Sequence, residues 1–311
     1  MQFVDVTNDV AFRKIFGNEN RKECLISFLN AILDFHGDRE IVSVNILDPY
    51  QLPNLRGGKV SIVDVRATDQ ANRNYIVEMQ VAELDGFGKR VLYYSSKSYS
   101  SQITRAEFYQ QLNPVIFIGI LEFGFTQNPH YLNRSHVRDV ETGERTLHDI
   151  EFNFIELPKF NKQLHELESL TDKWIFFIKN AENLDVMPEN INDEGLKVAY
   201  EEANKFSWTQ IELDAYDYVS MREGDAKARF DFVTKKALEE GELKGLEIGM
   251  IKGMEKGMEK GMEKGMEKGK LIEKAEIAKK GISKGLDNEV IADLTGLSTE
   301  EIDILRDELK K

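Results

Sequence analysis

Residues 60–81, Val-Ser-Ile-Val-Asp-Val-Arg-Ala-Thr-Asp-Gln-Ala-Asn-Arg-Asn-Tyr-Ile-Val-Glu-Met-Gln-Val, constrain this chain more than any other stretch. Two apolar runs of strand length flank a polar break rich in Asn, the pattern of a β-hairpin. Each run carries an acid where a buried strand should have none: Asp64 in the first, Glu78 in the second, with Gln80 two residues on. An unpaired buried carboxylate is costly, so acids in such places are paired, capped or bound to a cation. Any fold for this chain must satisfy both acids in one of these ways.

If the hairpin turns about Ala71, Asp64 falls opposite Glu78, with the Cβ atoms within about 5 Å of each other. Glu78 and Gln80 share a strand face, as do Ile62, Asp64 and Arg66. Two carboxylates that close repel unless a proton or cation lies between them. Oxygen-only ligands suit Mg²⁺ or Mn²⁺, which keep several waters and also bind phosphate oxygens. The competing expectation is a structural ion pair using Arg66 or Arg73.

Around this hairpin the periodicity predicts an α/β order of helix, three strands, helix, strand, strand. Residues 5–35 read as helical, broken near Gly17-Asn18, with Asn8 or Thr7 as cap and Asp9 in the first turn, where an acid favours the helix dipole. Strands are predicted over 40–47, 59–67 and 74–83 as an antiparallel meander, with a Gly57-Gly58 turn before the second. A helix over 85–104 carries Lys89, Arg90 and Lys97. The run 114–123 is near-continuously apolar, broken by Gly119 and Glu122, as in a strand buried on both faces, and 148–157 alternates before Pro158 stops it.

From Lys162 the chain turns helical, with further helices expected over 189–206 and 208–222. Met-Glu-Lys-Gly then repeats four times from Met254 to Gly269. Four residues advance an ideal helix by about 400°, so the Met and Gly stripes drift about 40° per repeat. Either a marginally helical tether or a self-associating helix fits this pattern. The last forty residues read as a small helical hairpin in which Asp287 caps one helix and Ser298-Thr-Glu-Glu opens the next as a capping box. That last helix is too acidic for a DNA groove, so an assembly role is expected. The boundaries drawn from these shifts are 1–160, 161–240, 241–270 and 271–311.

The chain's formal net charge of −14 argues against a phosphate-rich partner, but the charge is uneven. Residues 1–135 hold 14 Lys and Arg against 15 Asp and Glu, whereas residues 136–224 hold 9 against 20. The acidity therefore lies mostly outside the segment that holds the paired acids. No apolar run reaches the roughly 18–20 residues of a membrane span. A single cysteine, Cys24, and a start without signal-peptide character lead us to expect a cytoplasmic protein. No phosphate loop, nucleophile elbow or His-Glu-x-x-His pair occurs, and the five histidines are scattered without ligand spacing.

An Asp followed by a short hairpin and Glu-x-Gln, set in this order of elements, resembles the PD-(D/E)XK nuclease fold. Asp9-Val-Ala-Phe12-Arg-Lys14-Ile-Phe16-Gly17, Arg90-Val-Leu-Tyr93-Tyr94, Ile155-Glu-Leu-Pro-Lys-Phe160 and the Gly-rich repeat are similar to the Rpn family of recombination-promoting nucleases and transposases. The resemblance covers roughly residues 5–270. It implies a restriction-endonuclease-like core with a mixed central sheet flanked by helices, plus a C-terminal helical extension.

The same resemblance implies a Mg²⁺- or Mn²⁺-dependent endonuclease acting on DNA, linked to recombination, mobile elements or defence. Asp64 and Glu78 would be metal ligands, with the backbone carbonyl of Met79 as a third. Asp9 would help position the metal from the first helix. Gln80 stands where the family has a lysine that orients the attacking water or stabilises developing charge. Either Lys14, Lys89 or Arg90 then supplies that charge, or activity is weak. The alternative is a nuclease-fold protein that binds DNA or assembles without cutting. A homo-oligomer formed through the C-terminal helices, with no membrane partner, completes the expectation.

Overall fold

The structure, a computed structural model, describes residues 2–51, 61–104 and 107–309. It divides into two compact units, Met1–Asp225 and Ala226–Lys311.

The first unit opens with helices α1 (Asp9–Phe16) and α2 (Lys22–Leu33). Asn8 caps α1 by accepting the N–H groups of Val10 and Ala11, and Gly17 ends it. A Cβ at Gly17 would stand 2.7 Å from the Arg13 carbonyl, so the tight exit requires glycine. Strand β1 (Val44–Leu47) follows, then the short β2 (Tyr50–Gln51) and β3 (Ser61–Ile62), which pair with each other. Next come β4 (Val65–Asp69), β5 (Asn74–Gln80), α3 (Phe87–Ser100), β6 (Val115–Leu121), β7 (Leu132–Val137) and β8 (Leu147–Glu156). After them come α4 (Leu170–Asn180), α5 (Glu194–Glu202) and α6 (Gln210–Ser283); the boundary between the two units falls within α6.

Six strands form one mixed sheet in the order β1-β4-β5-β6-β8-β7. β1, β4 and β5 form the expected antiparallel meander, whereas β6 runs parallel to β5 and to β8. α3 is the crossover that parallel β5 and β6 require. Alternation along β5 divides the interior into two layers. Tyr75, Val77 and Met79 face the core shared with α1, α2, α4 and α5, while Ile76 faces α3 together with Phe87, Val91, Phe117 and Phe154. Every residue of β6 is buried, as its apolar run predicts.

Several boundaries differ from the sequence-based reading, each for a local reason. The ladder begins at Val44 instead of residue 40, because the Asn30 amide bonds both the N–H and the carbonyl of Ile41. The strand predicted over 59–67 is interrupted at Val63-Asp64, where the chain changes partner from β2 to β1 and β5. The Gly57-Gly58 turn and the start of that strand lie outside the described residues. β7 escapes a periodicity search because its edge position leaves most of its residues at least partly exposed. The boundary drawn at 160 has no counterpart in the compact units. α4 and α5 belong to the core of the first: the Trp174 ring lies 5.7 Å from Phe16 and its Nε1 donates to Ser27 Oγ at 3.0 Å.

In the second unit, α6 is helical through all the Met-Glu-Lys-Gly repeats, with Met254, Met258, Met262 and Met266 exposed. Its last turns pack against α7 (Asn288–Thr295) and α8 (Thr299–Glu308) around Ala278, Ile291 and Ile302. Asp287 and Ser298 cap α7 and α8 as their positions predict, and Ser298 forms the expected capping box with Glu301.

Candidate active site

Val65 pairs with Val77 in the β4–β5 hairpin, and the same register sets Asp64 opposite Glu78. Both are buried. Each carboxylate reaches the other strand's backbone: Asp64 N–H donates to Glu78 Oε2 at 3.3 Å, and Met79 N–H donates to Asp64 Oδ2 at 2.8 Å. Using its N–H on a side chain takes Asp64 out of the sheet ladder and produces the bend between β3 and β4. The hairpin thus presents two acids side by side, each oriented by one backbone donor.

The charge opposite them comes from α1. Arg13 donates to Asp64 Oδ1 from Nε at 3.2 Å and from Nη2 at 2.9 Å. Burial weakens its charge, but the carboxylate of Asp64, with Asp9 and Glu78 behind it, outweighs this and raises its pKa. Asp9 precedes Arg13 by one helical turn and is half-buried; burial and the Asp64 charge push its pKa up. The inner face of α1, with Phe12, Ile15 and Phe16 in the core, holds this pair over the hairpin. An ion pair at the acids therefore exists, but with neither arginine the sequence offered. Arg73 bonds Asp69 at 2.5 Å and Arg66 bonds the Asp48 carbonyl at 2.8 Å. The readable signal for Arg13 is its spacing of four from Asp9, which puts both on one helix face.

Glu78 is the more perturbed acid. Burial first and the Asp64 charge second push its pKa up to about 8, with Arg90 opposing. Arg90 also donates to Gln80 Oε1, while Gln80 Nε2 donates to the Ala82 carbonyl at 2.9 Å. Of the three cations offered in place of lysine, Arg90 is the one whose contacts lead to the acids. Lys14 instead pairs with Glu212 and lies over the Trp208 ring, and Lys89 is exposed on α3. Tyr94 of α3 also feels the Glu78 charge; burial and that charge raise its pKa. In β6, Gly119 lies in register with Glu78, and a Cβ there would meet the Phe117 and Phe154 rings at 3.2 Å.

The donor set fits a hard divalent cation held through two carboxylates, with water or phosphate completing its shell. Among the described residues no group of three His, Cys, Asp or Glu side chains is placed to hold a metal ion. Met79 meets the site through its N–H. The Ile155–Phe160 motif lies elsewhere and is structural. Glu156 is fully buried, pairs with Lys159 at 2.6 Å and accepts the N–H groups of Phe125 and Thr126.

A sequence model of the PD-(D/E)XK nuclease family transposases matches residues 6–234, from before α1 into α6. No curated protein and no solved structure matches the chain.

Proposed function

The chain belongs to the PD-(D/E)XK nuclease family transposases, and from that membership and its paired acids we propose a divalent-metal-dependent DNA endonuclease that hydrolyses phosphodiester bonds. The observation that carries this reading is the juxtaposition of buried Asp64 and Glu78, each oriented by a backbone N–H of the other's strand or its neighbour. Asp64 and Glu78 would hold Mg²⁺ or Mn²⁺, with the Met79 carbonyl completing the protein's share. The ion's contribution, when bound, is Lewis acidity toward water and the phosphodiester.

The remaining roles fall to the chain's own groups. Arg13 neutralises Asp64 when no other cation is present, and the raised Glu78 keeps a proton at neutral pH until a cation replaces it. Arg90, held by Gln80, supplies the positive charge that the family's lysine would bring, directed at charge developing on the phosphate. Asp9 acts through Arg13, setting its charge and position. Recombination or defence is the process this chemistry would serve, in the cytoplasm, by a homo-oligomer joined through the second unit. No helix among the described residues is long and apolar enough to cross a membrane.

The test is plasmid cleavage in Mg²⁺ or Mn²⁺ by the parent protein, Asp64→Ala and Glu78→Ala. Both variants are expected to lose activity by about 100-fold or more, the scale of removing a group that stabilises the transition state. Equal cleavage by all three proteins would refute the site. No cleavage by any of them would favour the second reading, a DNA-binding protein without turnover, for which Gln80 in place of lysine and Arg13 on Asp64 speak.

A further inference from the structure

Arg66 lies in β4, two residues beyond Asp64 along the chain, a step of about 6–7 Å in extended backbone. Arg66 is half-buried, and its Nη1 donates to the Asp48 carbonyl at 2.8 Å. The Asp48 carboxylate partly balances its charge but also accepts the Tyr50 N–H at 2.8 Å. Across from β4, Lys97 of α3 donates its Nζ to the Gln51 carbonyl at 2.6 Å. Two cations from different elements thus converge on carbonyls three residues apart. Their mutual repulsion adds to burial in lowering the Lys97 pKa.

Two further observations mark this place. Gln51 is buried, and neither atom of its side-chain amide has a hydrogen-bond partner; the buried Ser95 hydroxyl, two residues before Lys97, also lacks one. Buried polar atoms without partners are uncommon and call for an explanation. In addition, α3 has no Asp or Glu in its 14 residues, whereas each of the other seven α-helices among the described residues carries at least one. In a chain of net charge −14, this acid-free helix flanks the candidate site, where Arg90 and Tyr94 reach Gln80 and Glu78.

We propose that Arg66 and Lys97 form a second phosphate subsite, which grips the backbone phosphate next to the one lying at Asp64 and Glu78 in a bound DNA strand. It rests on the reading of that acid pair as a phosphodiester-cleaving centre. Two strand residues, about 6–7 Å, is the distance over which a nucleic-acid backbone advances by about one phosphate. The arginine presents a fork and the lysine a point charge, a combination that can surround one phosphate from two sides.

The experiment measures binding, not turnover. Anisotropy of a labelled DNA duplex is followed over a salt series in the Glu78→Gln background, with and without Arg66→Gln, Lys97→Gln or both. Each substitution is expected to weaken binding about tenfold and to lower the salt slope by about 0.9, the value for one phosphate contact on duplex DNA. The double variant should lose no more slope than either single one, because both cations serve one phosphate. Arg66→Lys and Lys97→Arg should keep the parent slope, which separates lost charge from lost folding. A duplex with one neutral methylphosphonate linkage, stepped along the strand, should weaken the parent at one position and leave the double variant unaffected there. A double variant with the parent's affinity and slope overturns the subsite, as does a methylphosphonate loss equal in both proteins. Failure of the parent itself to bind DNA overturns the cleavage reading instead.

Discussion

Glu78 carries the largest electrostatic strain in the candidate site, and its sign has a measurable result. In the unfolded chain its carboxyl titrates at the ordinary value of 4.5, whereas burial and Asp64 push it up to about 8 in the fold. Between these values the folded state holds more protons than the unfolded one, so stability falls as pH rises through this window. At the acid end the folded Glu78 is neutral and costs little; at the basic end its charge opposes folding most. Glu78→Gln should therefore raise the melting temperature in EDTA near about pH 8, by the equivalent of about 2–4 kcal/mol, and change it little near about pH 5. Equal melting of both proteins at the higher pH would show that Glu78 is not strained. Mn²⁺ should narrow the difference by stabilising the parent, since a cation bound to the folded state adds its binding free energy.

Among the elements, α2 and α5 approach each other closely while the repeat part of α6 lies open, and glycine marks both. A Cβ at Gly195 in α5 would stand 2.3 Å from the Glu23 carbonyl and 2.5 Å from Ser27 Cβ. Ser27 itself donates to the α5 cap Asp193 at 2.5 Å, so the two helices cannot part without losing that contact. Gly195→Ala should cost about 2–3 kcal/mol through overpacking, seen as a lower midpoint in urea unfolding. At Gly257 in α6, by contrast, a Cβ meets nothing within 4 Å. There Gly257→Ala should add up to about 1 kcal/mol of helix stability, read as higher ellipticity on heating. A destabilised Gly257→Ala protein would show that this glycine stripe is covered by a neighbour.

These elements also mark what the sequence makes legible. The hairpin register was readable because the turn residues and the two apolar runs fix the pairing about Ala71, and a one-residue slip would have turned every side chain over. β6 was readable because a strand buried on both faces is apolar at each position. Arg13 was not, because an arginine on a short amphipathic helix looks like any solvated cation until the fold brings β4 beneath it. Nor was the break at Asp64, since an acid that bonds its cross-strand partner's side chain leaves no trace in the periodicity. The Arg66–Lys97 pairing depends on a crossover helix meeting a strand thirty-one positions earlier, a distance that local pattern cannot span.

For the whole molecule, the exposed apolar residues of α6 bear on assembly. α6 exposes Phe230, Val233, Leu243, Leu246 and Met250 before the four repeat methionines, far more apolar surface than a solvated helix needs. The four-residue repeat makes its rows drift about 40° per step, following the i, i+4 ridges of the helix. Two such helices meeting along these rows would cross at about −50°, not lie parallel as in a coiled coil. Contact would then concentrate at one crossing, where glycine allows close backbones and methionine fills the sides. Deleting 241–311 should therefore take the particle from two copies to one, as light scattering would measure, with the thermal unfolding of the remaining unit unchanged. An unchanged number of copies per particle would remove the assembly role from these helices and leave the repeat as a tether.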